Sequence, residues 1–336
     1  MTAFSALIGQ KQAVELLTSA VTRQRIAPAY LFNGPEGVGR HLAAIEFTTL
    51  ILAEEQNVNL VRHKVQSQNH PDLLTVEPTY LQQGKLLTEA QAQAEGLKRK
   101  APPQIRVEQI REIARFLSRP PLEASRAVVI IEAAHTMAEA AANALLKTLE
   151  EPGKATIILI APSADSLLPT LVSRCQRIPF YRLSMPDLKQ VLAQTDQSEI
   201  IEQETLCAIA QGSPGEAMIA KEHLTEIPNF ILQQLETLIN HQEQSSLINT
   251  EIALNLGKEI SQNLDFPTQI WLINYLQQRF WKQGLKTQVP LKRLSGLEQL
   301  ETSRKMLLSY VQPRLVWEVT LLQIGEVTSP KSLDHN

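Results

Sequence analysis

Three short stretches of this chain carry side chains and spacings suited to binding phosphate, metal or a partner's charge. The first is GPEGVGRH, Gly34 to His41. Gly34, Gly37 and Gly39 let backbone N–H groups converge on a phosphate at a helix N-terminus. A working phosphate-binding loop of this spacing ends in Lys followed by Ser or Thr. The Lys neutralises the outer phosphates and the hydroxyl holds Mg²⁺. Here Arg40 and His41 stand in those places. Arg40 keeps a charge, but its planar fork is not a compact point charge. The imidazole of His41 is a poor ligand for an ion that prefers oxygen. By itself the loop reads equally as a damaged nucleotide site or as a Gly-rich turn between strand and helix.

The second stretch is VVIIEAAH, residues 128–135. A P-loop ATPase ends such a strand in two acids, one for the metal and one to activate water. Glu132 takes the first place, where it could approach a metal. Ala133 takes the second and cannot act as a base. Two separate parts of a hydrolytic site are therefore damaged, which favours a disabled ATPase over an unusual active one. The third stretch is LLPTLVSRCQRIPF, residues 167–180, with Ser173, Arg174 and Cys175 at its centre. Arg174 follows a strand and a helix, where it can point at a neighbouring subunit. On residue context alone, a surface arginine paired with a carboxylate is the favoured reading. Arg111, Arg115 and Arg119 lie four apart and share one helix face. They suit DNA phosphates, but a solvated face paired with Glu108 and Glu112 is favoured. LKRK, residues 97–100, is a weaker charge run in a loop.

The elements that must position these groups follow from periodicity. Residues 10–25 read as a first helix, with Ala13, Val14, Leu17 and Val21 at helical spacing. AYLFN (29–33) is a buried strand feeding the glycine loop, and HLAAIEFTTLILA is the helix after it. DLLTVEP (72–78), RAVVIIE (126–132) and ATIILIAP (155–162) read as further strands. VEQIREIARFLSR (107–119) is a helix stopped by Pro120 and Pro121. AEAAANALLKTLEEP carries an apolar stripe of Ala138, Ala141, Ala142, Leu145, Leu146 and Leu149. Residues 79–104 are polar without a steady period and read as an exposed, partly mobile insertion. Alternating strands and helices imply α/β architecture, an open parallel sheet covered on both faces. After about Phe180 the pattern is helical throughout.

A chain of 336 residues is too long for one compact core. A net charge of −3 argues against a wholly nucleic-acid-binding surface. Cys175 and Cys207 lack any CxxC spacing, and thiols of this kind fit a reducing, cytoplasmic setting. MTAFSALIGQ has neither a basic nor an apolar leader region, so no signal peptide is expected. No apolar run reaches about 18 residues, so no membrane partner is expected.

These residues together resemble a family. ANALLKTLEEP, then ILI, then LLPTLVSRCQ is similar to the clamp-loader subunits of bacterial DNA polymerase III, which are AAA+ proteins. IGQKQAVELL, AYLFNGPEGVGR, HPDLLTVEP, IRVEQIREI and GSPGEA extend the likeness through residues 5–220, and PRLVWEVTLL matches loosely beyond. The resemblance implies an AAA+ α/β nucleotide-binding-like domain at 1–181, a helical lid at 182–242 and an all-α collar domain at 243–330. Trp271, Trp281 and Trp317 are expected to fill the core of the collar region.

Departures from the motor subunit fall at Arg40, His41, Glu132 and Ala133, and at Glu216, where active members often carry a phosphate-sensing Arg. They select the subunit type whose own ATP site is degraded. The resemblance implies that this subunit serves as a stator and that Arg174, between Ser173 and Cys175, is an arginine finger for ATP on a neighbouring motor subunit. No cofactor is required on this reading, and the losses at Gly34–His41 weigh against ATP binding. Zinc is not expected, because residues 50–70 lack the family's Cys set and His63 and His70 alone make no site. The implied partners are γ/τ-type motor subunits and the δ subunit, with primer–template DNA within the assembly and the sliding clamp indirectly.

Overall fold

A computed structural model describes residues 4–54, 56–95, 102–240, 246–286 and 291–328. The chain divides into two compact units, residues 1–191 and 192–336.

The first unit is built on strands β1 (Ala29–Asn33), β2 (Leu73–Val76), β3 (Tyr80–Gln82), β4 (Lys85–Leu87), β5 (Ala127–Ile131), β6 (Ala155–Ala161) and β7 (Gln176–Pro179). Five of them form one sheet in the order β2-β5-β6-β1-β7, with every pairing parallel. β5 and β6 are buried at every position, as continuous β-branched and aliphatic runs must be when helices cover both faces. One face carries Ile105, Ile110, Ile113, Val129, Leu145, Leu149 and Leu159 in a single apolar cluster. The other packs Tyr30, Phe32, Phe47 and Phe180 edge-on and tilted, at centroid separations of 5.0–6.5 Å. The parallel α/β class expected from the sequence is the one observed.

Helix Glu139–Glu150 buries Ala141, Ala142, Leu145 and Leu149 of its expected stripe. Ala138 is its N-cap and Leu146 is only half-buried. The first helix is shorter than expected, Lys11–Thr22, and Gln10 before it is buried. Strand β7 had no clear signal, because QRIP is too short and polar to show a period.

The insertion expected at 79–104 is largely exposed over its described part, but it is built of regular elements. Its described part contains the antiparallel hairpin β3–β4 and helix Glu89–Ala94. Gln83 and Gly84, at φ +48° and +80°, supply the left-handed turn that matches hairpin twist. Thr79 bridges Gln104 at the base of the segment. Strands of three residues are too short for an alternation to be legible. LKRK at 97–100 lies outside the described residues.

The second unit is helical throughout its described residues. Leu256, Ile260, Leu272, Leu276, Trp317 and Leu321 form its interior. Helix Ser246–Asn263 meets helix Pro313–Thr328 so closely at Gly257 that a Cβ there would lie 2.8 Å from the Glu318 backbone nitrogen. Trp317 is fully buried and donates Nε1–H to Gln269 Oε1 at 2.9 Å. Trp271 is also buried. Trp281 is 58% exposed and lies outside the core expected for it. Its helix, Phe266–Lys286, has a wet face that an apolar residue count cannot identify. From Leu192 onward, the helices assigned to lid and collar fall in this unit. No helix among the described residues is long and apolar enough to cross a membrane.

Candidate functional site

β1 delivers the chain to the glycine loop at the carboxyl end of the sheet. Gly34 is fixed there by packing. A Cβ on it would lie 2.3 Å from the carbonyl oxygen of Phe180. Gly39 caps helix Arg40–Ala53 at φ +101°, a left-handed conformation that side chains resist. Gln10 ties the loop down. Its Nε2 donates to the carbonyls of Val38 (3.2 Å) and Tyr181 (2.7 Å), and its Oε1 accepts from Tyr181 N (3.1 Å). Residue type and spacing do not single out Gln10. Only the return of the chain after β7 brings Tyr181 to it.

The two residues that replace the expected Lys and Ser/Thr behave differently. Arg40 is half-buried, and its Nη1 is enclosed without a hydrogen-bond partner. Burial pulls its pKa down, against the opposing pull of Glu36 and Glu132. His41 Nδ1 lies 2.5 Å from Glu132 Oε1. That hydrogen bond raises the His41 pKa, burial lowers it, and the charges of Glu132 and Glu77 raise it further. An imidazole and a carboxylate thus bind each other at the two positions whose hydroxyl and acid would hold magnesium in a working site. Ala133, at φ +44°, offers no base. These residues do not fit a hydrolytic magnesium–nucleotide site.

Arg174 sits elsewhere. β1 and β7 are parallel, with Tyr30 opposite Gln176 and Asn33 opposite Pro179. The glycine loop follows the end of β1, whereas Arg174 precedes the start of β7. At about 3.3 Å per residue, the length of the strands separates them. Glu132 leaves β5 at the loop's end of the sheet. The fold therefore brings Gly34, Gly37, Gly39, Arg40, His41 and Glu132 together and leaves Ser173, Arg174 and Cys175 at the other end of the strands, on the β7 edge.

At that edge, helix Pro169–Val172 presents the trio. Ser173 Oγ donates to Thr170 O at 3.0 Å. Arg174 donates from Nη1 to Thr170 O at 3.0 Å and from Nη2 to Glu150 Oε1 at 2.7 Å. Arg174 stays 37% exposed. Burial pushes the Cys175 thiol up to about 12, which makes it an inert packing group rather than a nucleophile.

Arg111, Arg115 and Arg119 are exposed along and just beyond helix Val107–Leu117. Among the described residues none of them forms an ion pair. The pairs expected with Glu108 and Glu112 are not made, because every one of these side chains faces open water and gains little from pairing. Glu216 lies in the first turn of helix Pro214–Glu226, its N–H bonded to Ser213 Oγ at 3.2 Å. His63 is exposed, while His70 is buried and accepts from Asp72 N at 3.2 Å. No group of three or more His, Cys, Asp or Glu among the described residues could hold a metal ion.

Comparisons with known proteins give the family and the fold. The family model described as DNA polymerase III, delta subunit, matches residues 9–184. That described as cyanobacterial DNA polymerase III delta prime, C-terminal domain, matches residues 186–324. The delta-prime subunit of Bacillus subtilis DNA polymerase III is 31% identical over 195 residues, covering 56% of this chain and 53% of that protein. The tau subunit of the same organism is 27% identical over 275 residues, covering 78% and 45%. The chain spans about half the length of these curated relatives. A solved DNA polymerase III gamma subunit-related protein from Thermotoga maritima shares the fold, with a TM-score of 0.53 at 17% identity over 94% of this chain and 99% of that one. With these models matching both halves and delta-prime subunits among its relatives, the chain belongs to the family of DNA polymerase III delta-prime subunits.

Proposed function

We propose that this chain is a non-hydrolysing subunit of the DNA polymerase III clamp loader. It acts as a stator and donates Arg174 to ATP bound on an adjacent γ/τ-type motor subunit during loading of the sliding clamp onto primed DNA. The observation that carries the non-hydrolysing part is the His41–Glu132 hydrogen bond at 2.5 Å, which joins the two positions a metal would need. The trans role is supported by the placement of Arg174 a strand's length away from its own loop. A cation there has no phosphate of its own chain to serve. The δ subunit and the motors would be its partners through the helical lid and collar regions. The unpaired arginines of helix Val107–Leu117 suit primer–template phosphates.

The test is a reconstituted complex. An arginine supplied in trans contributes about 10³ to 10⁵ in rate at the site it serves. Arg174→Ala is expected to leave assembly intact and to lower DNA-stimulated ATPase sharply. The purified chain is expected to show no turnover. ATPase of the isolated chain that disappears on changing Arg40 would make it a motor instead. The Arg174–Glu150 pair favours a second reading, a scaffold with no catalytic influence. Unchanged turnover in Arg174→Ala would establish that reading.

A further inference from the structure

Arg174 is not a loose side chain on the surface. Its guanidinium is held by two acceptors on one side, Thr170 O at 3.0 Å and Glu150 Oε1 at 2.7 Å. The acceptors come from different elements. Thr170 lies in helix Pro169–Val172 and Glu150 ends helix Glu139–Glu150. A guanidinium has five N–H donors in a rigid fork. Two are engaged here, which leaves three for an incoming ligand.

Glu150 is poorly placed for the helix that carries it. A carboxylate in the last turn faces the negative end of the helix dipole and opposes it. Glu151, the C-cap, adds a second negative charge at the same end. Helix stability therefore does not account for Glu150. Its side chain is 53% exposed, so burial does not account for it either. Its contact in the structure is Arg174. A free arginine would have to freeze several rotors on meeting a phosphate, whereas one already held by two acceptors has met part of that cost.

We infer that Glu150 is a positioning residue, which with the Thr170 carbonyl presets the Arg174 guanidinium for an anionic ligand carried by a neighbouring subunit. This rests on the trans role proposed for Arg174. The acceptor oxygen of Glu150 matters here, and its charge does not. An amide at the same place keeps an acceptor in reach of Nη2, and a methyl group does not.

The experiment measures DNA-stimulated ATPase in the reconstituted complex with Glu150→Ala, Glu150→Gln and Arg174→Ala, singly and with Glu150→Ala added to Arg174→Ala. Glu150→Ala is expected to lower kcat on the order of tenfold with KM for ATP little changed. Glu150→Gln is expected to recover most of that loss. Glu150→Ala is expected to add nothing in the Arg174→Ala background. Higher turnover in both Glu150 variants would overturn the proposal and make the pair a brake. Additive losses would also overturn it, since Glu150 would then not act through Arg174. Failure of the underlying reading looks different, because Arg174→Ala alone would then leave turnover unchanged. Gel filtration of each complex and thermal melting of each isolated chain separate these outcomes from misfolding.

Discussion

Gly34 has no side chain because the carbonyl oxygen of Phe180 occupies the space where a Cβ would go. The same residue type reads as phosphate chemistry in the sequence and as packing in the fold. Gly34→Ala must therefore move the segment after β7 or the end of β1. It is expected to destabilise the isolated chain by about 1–3 kcal/mol, as overpacking of a close contact does. The midpoint of urea unfolding measures this. A glycine kept only for a ligand would leave that midpoint unmoved in the absence of ligand. His41 and Glu132 make the complementary point. Each is an ordinary replacement by itself, and their hydrogen bond turns two losses into one closed contact.

At the scale of elements, helix Val107–Leu117 has a divided surface. Ile110 and Ile113 are buried in the sheet's apolar cluster. Gln109 fixes the start of the helix by accepting from Arg106 N at 3.0 Å and donating to Glu77 O at 2.8 Å. The opposite face offers Arg111 and Arg115, which form no ion pair among the described residues. If that face meets DNA in the assembled loader, Arg111→Glu with Arg115→Glu lowers affinity for primed DNA. The slope of log affinity against log salt then falls by roughly 0.7 to 0.9 per lost phosphate contact. An unchanged slope would return the face to bulk solvent.

At the scale of the whole molecule, the second unit exposes apolar side chains that its own interior does not need. Leu308 is 54% exposed and Leu315 is 53% exposed, in helices Leu291–Leu308 and Pro313–Thr328. A collar built with other subunits would cover such residues. Leu308→Asp with Leu315→Asp is expected to weaken assembly with the motor subunits. The melting temperature of the isolated chain should hardly change, since exposed substitutions usually stay within about 0.5 kcal/mol. Co-elution during gel filtration measures the first effect and thermal unfolding the second. A large loss of stability with assembly intact would show that these leucines serve the fold.

The parallel α/β class, the helical remainder and the departures from a working P-loop at Arg40, His41 and Ala133 are all legible in the amino-acid order. Runs such as VVII and IILI are short, β-branched and apolar throughout, which is the pattern of a parallel strand buried on both faces. Motif spacing is likewise local, so the loop and the Ser173–Cys175 trio were legible. Tertiary structure alone decided what those residues touch. Gln10 meets Val38 and Tyr181, Phe180 meets Gly34, His41 meets Glu132, and Glu150 meets Arg174, each pair joined by chain that returns from far along the sequence. The separation of Arg174 from the loop also came only from the register of β1 on β7. Hydrogen bonding and packing act through space, and spacing along the chain does not encode which distant group arrives.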